Sequence, residues 1–437
     1  MEDIRSPSTL EYLATLRMIS EFEDLDYIKE LPKNIKQRLV QFCSYARYKT
    51  QDVKHLEVIQ ELIRTWPARV FDGRLLQHKI DQELLETIFM LIKSNDIGNI
   101  KVMNLSEIEI PDYLMLSLVK GEFIYDDDSE DEDDDDIDEE ATVSPRSAAP
   151  LHLLVHLKIS SRSYNDVIPH LKSQQVMFQT QEYEDREIIV CPGKIELESL
   201  PISKVLEVLQ NVNSNYVKEF SITNVSPGTI KDHESVRQVF EEIKRFKAIN
   251  TLKLINIQDK RQGWPKSLVE HAANCISELQ NIEKIEVGRI PSETLESFIN
   301  LGFKSHSISS LSVKFVRLTA DVMNALVENK FLHLLEYLTL YNTAYDSDIS
   351  DIAEFLSPNS GTLTTLSLNR CALSNENLMD LGKTLETLDS LEDLVIYEAN
   401  IDRRYRHKDI CPFIASFRYD QTKGSFIRSK AEDSVKE

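Results

Sequence analysis

The chain has 437 residues, 41% of them apolar, with only 11 glycines, 14 prolines and a formal net charge of −23. That composition suits two or three packed domains or one elongated solenoid, and it argues against a Gly-rich nucleotide fold or a largely disordered chain. Clustered cations of the kind that hold phosphate are lacking, so nucleic acid is not an expected ligand. No apolar run approaches the ~20 residues of a membrane helix, and the N-terminal MEDIRSPST has no secretory apolar region. Cys43, Cys191, Cys275, Cys371 and Cys411 are odd in number and widely separated, which reads as reduced thiols rather than a disulfide framework or a zinc module. The expectation is a soluble intracellular protein in the nucleus, the cytoplasm or both, with no cofactor and no metal.

Residues 1–50 predict a helical region. Ser8-Thr9-Leu10-Glu11 is a capping box. Leu10, Ala14 and Met18 then recur at i, i+4 and i+8 with Leu13 beside them, making one apolar stripe. Leu31-Pro32 opens a second helix with Pro32 at its first position, and Leu31, Ile35 and Leu39 line its apolar side. These helices either cap the rest of the chain or dock, each laying an apolar face in a partner's groove.

Residues 51–125 predict a helical cap and a first degenerate repeat at Ile97–Ile108 (IGNIKVMNLSEI). From Asp126 to Glu140, 13 of 15 positions are acidic, broken only by Ser129 and Ile137. Setting those 13 charges aside leaves −10 from the total of −23, an ordinary value. Residues 126–149, which end in a Ser/Pro/Ala stretch, are expected to form a disordered linker. The acidic run reads as a solvated insertion, as a contact for basic proteins such as histones, or as a context for phosphorylation of Ser129.

Residues 150–402 carry an internal repeat. Seven segments share the spacing L-x-x-L-x-L: Val217-Phe220-Ile222, Ile249-Leu252-Leu254, Ile282-Ile285-Val287, Ile308-Leu311-Val313, Leu335-Leu338-Leu340, Leu363-Leu366-Leu368 and Leu391-Leu394-Ile396. Their middle residues are 32, 33, 26, 27, 28 and 28 positions apart. Alternation predicts a short strand in each. Helical spacing in the intervals, as at Thr319–Glu328 and in the Leu378, Leu381, Leu385 stripe, predicts a helix between strands. The fold class is therefore α/β, a leucine-rich-repeat solenoid of the ribonuclease-inhibitor-like horseshoe type with an N-terminal helical region. A weak additional strand is expected at Arg186–Val190.

Three positions after the last strand leucine this repeat class prefers Asn or Cys. Here the residues are Val225, Ile257, Ile290, Val316, Thr343, Cys371 and Ala399. Only Cys371 fits, so the repeats read as degenerate and irregular. Positions beside the strand leucines should line the concave face, which puts Lys314, Phe315, Tyr341, Asn342, Asn369, Arg370 and Tyr397 forward as client-binding residues, types enriched at binding hot spots. His152-x-x-x-His156 has the spacing of a helical metal pair but lacks a third ligand and reads as structural. Gly382-Lys383-Thr384 mimics the end of a phosphate loop but falls in a predicted repeat helix. Residues 403–437 are expected to form a C-terminal cap and tail, whose Arg403–Lys408 cluster reads as a surface patch or an import signal.

Thr9-Leu10-x-x-x-Ala14-x-x-x-Met18 resembles the BC box that engages elongin C, with Ala14 where Cys is frequent, and Leu31-Pro32-x-x-Ile35-x-x-x-Leu39 resembles the cullin-2 box. With Leu62-Ile63-Arg64-Thr65-Trp66-Pro67, Ile100–Leu105, Pro150–Leu157 and the repeats, the chain resembles the PRAME family over roughly residues 5–400. The resemblance implies a non-catalytic substrate receptor of a cullin-2 RING ubiquitin ligase. Thr9, Leu10, Leu13, Ala14 and Met18 would recruit elongin C with elongin B, and Leu31, Pro32, Ile35 and Leu39 would contact cullin-2 with its RING-box protein. A client would sit on the repeats, and the RING and E2 partners would supply the catalysis. Two alternatives stay open: an F-box-like receptor of a cullin-1 ligase, since Leu31-Pro32 with Ile35 also resembles an F-box opening, and a leucine-rich-repeat scaffold or histone-type chaperone outside any ligase.

Overall fold

A computed structural model describes residues 25–50, 53–76, 82–93, 96–97, 99–108, 110–111, 148–173, 180–183, 186–212, 214–225, 232–258, 263–345, 349–369, 371, 375–397, 417–420 and 425–428. Both the acidic run and the Arg403–Lys408 cluster lie outside them. The chain forms two compact units. The first lies within Met1–Leu157, Asn165–Lys194 and Asn211–Tyr216, and the second within Lys158–Tyr164, Ile195–Gln210 and Val217–Glu437. Among the described residues, no helix is long and apolar enough to cross a membrane.

In the first unit a 3-10 turn at Leu25–Glu30 leads into α1 (Lys33–Thr50), followed by α2 (Val53–Arg64) and α3 (Gln82–Lys93). Helix α1 starts at Lys33, one residue later than expected, because the Pro32 carbonyl accepts from the amides of both Ile35 and Lys36. Helix α2 buries Leu56, Val58, Ile59, Leu62 and Ile63 along one stripe. Strand β1 (Val70–Asp72) pairs in parallel with β2 (Val102–Asn104), and β2 pairs in parallel with β3 (Ala148–Ser160). Phe71, Met103 and Leu153 meet in register across the three strands, each fully buried. The Trp66 indole packs edge-on against Phe71 and donates to the Val70 carbonyl at 3.0 Å. The segment 97–108, expected to hold a first repeat, contains the strand β2, and the weak strand at 186–190 opens β5 (Arg186–Glu198), which meets the hairpin partner β4 (Thr180–Tyr183). Helix α4 (Tyr164–Ser173) lies between β3 and β4 in the chain.

The second unit contains the seven repeat strands: β6 (Glu219–Thr223), β7 (Thr251–Ile255), β8 (Lys284–Gly288), β9 (Ser310–Lys314), β11 (Tyr337–Tyr341), β13 (Thr365–Asn369) and β14 (Asp393–Tyr397). All pair in parallel with no slip of register. Phe220, Leu252, Ile285, Leu311, Leu338, Leu366 and Leu394 form one buried row, and Ile222, Leu254, Val287, Val313, Leu340, Leu368 and Ile396 form the next. A one-residue slip would turn both rows to solvent, which is why register is held so strictly.

Between successive strands the chain crosses over through α5 (Ile202–Gln210, before β6), α6 (His233–Ile243), α7 (Lys266–Ser277), α8 (Ser292–Ser297), α9 (Ala320–Glu328), α10 (Ile349–Leu356) and α11 (Asn375–Glu386), each packed on its neighbour. The minimal strands β10 (Arg317–Leu318) and β12 (Ala344–Tyr345) pair with each other beside this layer. The unit is an α/β repeat with a mostly parallel open sheet. The expected irregularity falls on the helix side, where α8 is short and continues as a π-helical turn, Phe298–Gly302. Beyond β14 the sheet turns antiparallel through β16 (Ser425–Arg428) and β15 (Phe417–Asp420).

Candidate protein-binding face

Residues between the leucines of each strand point away from the core, so strict register assembles them into rows across the sheet. One row runs Ser221, Lys253, Glu286, Ser312, Thr339, Ser367, Val395. The next runs Thr223, Ile255, Gly288, Lys314, Tyr341, Asn369, Tyr397. Lys314, Tyr341, Asn369 and Tyr397, expected at the binding face and far apart in sequence, are therefore register partners in a single line. Arg370 lies outside the described residues.

Two side-chain ladders cross this face. Glu286 bridges Lys253 at 3.6 Å and Lys314 at 2.8 Å. Beside this ladder Gly288 leaves room for Lys314: a Cβ there would lie 2.7 Å from the Lys314 carbonyl oxygen and 3.1 Å from its Cβ. Beside it the Arg289 guanidinium lies over the Phe315 ring at 4.7 Å, and Phe315 meets Tyr341 edge-on with centroids 5.0 Å apart. Sequence reading missed Lys253, Glu286 and Arg289. For Arg289 the signal was available, since it occupies the repeat position of Phe315 and Asn342; Lys253 and Glu286 stand at the central outward position of their strands, with Ser312 and Thr339.

The residues after β5, β6, β7, β8, β9 and β11 take the left-handed conformation: Ser199, Asn224, Asn256, Arg289, Phe315 and Asn342 have φ between 49° and 57°. From Asn224 onward each amide donates to the carbonyl of the last residue of the following strand, at 2.7–2.9 Å. Asn tolerates this region well. For Arg289 and Phe315 it costs about 1 kcal/mol each, a strain that the neighbouring ladder maintains while it sets both side chains at the rim. The next residues along, Val225, Ile257, Ile290, Val316, Thr343 and Cys371, are all buried. Cys371 donates its thiol to the Leu340 carbonyl at 3.3 Å, and the others fill the same layer with apolar or hydroxyl groups.

Of the proposed docking residues, Thr9, Leu10, Leu13, Ala14 and Met18 lie outside the described residues. At the second motif Pro32 is exposed, Leu31 and Ile35 are half-buried, and Leu39 is buried at 2% exposure. Leu39 thus serves its own unit's core, and a partner would meet Leu31, Pro32 and Ile35. His152 and His156 sit on β3, where four residues span about 13 Å, so they cannot share a metal. Gly382-Lys383-Thr384 lies inside α11, as expected. On the helix side, the shortened repeat leaves a cleft of about 580 Å³ between α7 and α8, lined by Trp264, Val269, Pro291 and Leu301 with Glu293 and Glu296 at its edge.

Comparison of the sequence with models of known protein families and with curated proteins finds no match.

Proposed function

We propose that the second unit is a ribonuclease-inhibitor-type leucine-rich-repeat solenoid whose concave strand face holds a client protein, and that the chain is the substrate-recognition subunit of a cullin-2 RING ubiquitin ligase. The observation that carries the binding reading is the line Lys314, Tyr341, Asn369 with its flanking Arg289–Phe315–Tyr341 stack. Aromatic and Arg side chains pre-placed on a rigid sheet lose little freedom on binding. Around it Lys253, Lys284, Lys314 and, one residue past β8, Arg289 share the strand rows with the carboxylates Glu219, Glu286 and Asp393, so the face offers both signs of charge to a client.

The ligase half rests on the resemblance to the PRAME family and on its two N-terminal boxes. In this reading residues 9–18 recruit elongin C with elongin B, Leu31, Pro32 and Ile35 contact cullin-2, and the RING-box protein and E2 supply the chemistry. One observation favours a second reading: burial of Leu39 shows α1 packing within its own unit, which suits a repeat scaffold whose N-terminal helices only cap it.

An affinity capture of the intact chain beside Leu10→Asp, probed for elongin C, cullin-2, SKP and cullin-1, tests the ligase half. Elongin C held by the intact chain and lost with the variant supports the receptor. Capture of SKP and cullin-1 redirects it to the F-box alternative. Neither adaptor on the intact chain leaves the interaction scaffold, for which binding of basic proteins through residues 126–140 should disappear at moderate salt.

A further inference from the structure

Helices α6 and α7 bring together three donors that the sequence separates. Glu241 comes from α6, and His271 and Cys275 lie one turn apart on α7. His271 Nε2 lies 3.2 Å from Glu241 Oε1, Cys275 Sγ lies 3.6 Å from that same nitrogen, and Sγ lies 3.8 Å from that same oxygen. With zinc–ligand bonds of about 2.0 Å to nitrogen and oxygen and about 2.3 Å to sulfur, a tetrahedral ion requires donor separations of about 3.3 Å (N···O) and about 3.5 Å (N···S and O···S). The three atoms already mark three corners of that tetrahedron. We propose that Glu241, His271 and Cys275 form a zinc(II) site that clips two successive repeats together, with its fourth position open to water.

The surroundings suit a cation. Glu241 and Cys275 lie in the last turns of their helices, where the C-terminal partial charge is negative. Glu241 is placed by its other oxygen, which Lys244 holds at 3.1 Å while also reaching Glu278 at 3.3 Å, leaving Oε1 turned to the cluster. Among the described residues this is the group of three or more His, Cys, Asp or Glu side chains whose donor atoms lie within 4.8 Å of one another. The neighbouring chemistry is unsuited to a cysteine nucleophile: burial and the Glu241 carboxylate push the Cys275 thiol up to about 12, so free thiolate is scarce at neutral pH. A divalent ion reverses this by taking the thiolate directly, Cys–SH plus Zn²⁺ giving Cys–S–Zn⁺ and one proton released to solvent.

The test uses the full chain, stripped with chelator and titrated with Co²⁺ as a spectroscopic stand-in for Zn²⁺. The expected result is one equivalent bound, with tetrahedral d–d bands and a thiolate-to-cobalt charge-transfer band that Zn²⁺ abolishes by displacement. Cys275→Ser should remove the charge-transfer band, and His271→Gln or Glu241→Gln should weaken Co²⁺ binding by roughly tenfold or more. Glu241 is 45% exposed, so its variant folds even if the buried Cys275 variant does not. Sub-stoichiometric binding, a charge-transfer band that survives Cys275→Ser, or unchanged affinity in both surface variants would overturn the site.

Discussion

At the scale of single residues, the backbone decides as much as the side chains do. Asn342 has φ 49° and is exposed, with its amide donating to the Asn369 carbonyl at 2.7 Å. Asn342→Ala is therefore expected to lower unfolding free energy by about 1 kcal/mol while Asn342→Gly stays within about 0.5 kcal/mol, as read from urea midpoints. Gly288→Ala should be worse, by about 1–3 kcal/mol, because the added Cβ meets the Lys314 backbone and pushes β8 from β9. Lys36 offers a pH test. Its ammonium is buried at 1% exposure, donating to the Lys29 carbonyl and to the Thr65 carbonyl and hydroxyl at 2.8–3.1 Å. Burial holds its pKa below the usual 10.5, against the pull of Glu61 and Glu30. Between that lowered value and 10.5 the unfolded chain keeps a proton that the folded chain has released, so stability rises with pH across this alkaline window. Lys36→Met should flatten that rise in pH-dependent denaturation.

At the scale of elements, each repeat strand is five residues long and could not stand alone. Its stability comes from the two leucine-type rows that it shares with both neighbours. Leu338 and Leu366 are register partners, exposed by 1% and 0%. Truncating either to Ala should cost about 2–5 kcal/mol, and the double variant should depart from additivity because the two side chains share one layer. Thermal denaturation of the three variants measures both quantities. Helix α9 shows how local signals assist, with the Thr319 hydroxyl accepting from the Val322 amide at its N-terminus. The Lys253–Glu286–Lys314 ladder is partly solvated and contributes at most about 1 kcal/mol per pair, so it adds little to the stability of the sheet.

At the scale of whole units, an open parallel sheet must protect its edge. After β14 this is done by β16, which pairs antiparallel through Asp393↔Ile427 and Leu394↔Phe426. Arg428 fastens it, donating to the carbonyls of Leu385, Leu388 and Leu391 at 2.8–3.1 Å, with its guanidinium 5.0 Å from the Phe417 ring centre. Arg428→Ala should lower stability by about 2–3 kcal/mol. Removing residues 417–428 altogether should expose the β14 edge and appear as concentration-dependent light scattering.

The seven repeat strands, the helices between them and the buried rows were legible in the amino-acid order, because alternation at period 2 and stripes at period 3.6 are written locally. The outward-facing residues on those strands were legible for the same reason: once a strand's inward leucines are known, its outward positions are fixed as well. Several features were settled only by tertiary structure. His152 and His156 have helical spacing, yet β pairing with β2 placed them on a strand. Leu39 belongs to a stripe that reads equally as core or docking surface, and packing within its unit chose the core. Arg289 reaches Phe315, Gly288 makes room for Lys314, and Glu241 meets His271 and Cys275 only because parallel crossovers lay successive repeats side by side. Those contacts join residues about thirty positions apart, a distance over which no local periodicity carries information. The chain's order specified what each repeat is, and stacking decided which side chains meet.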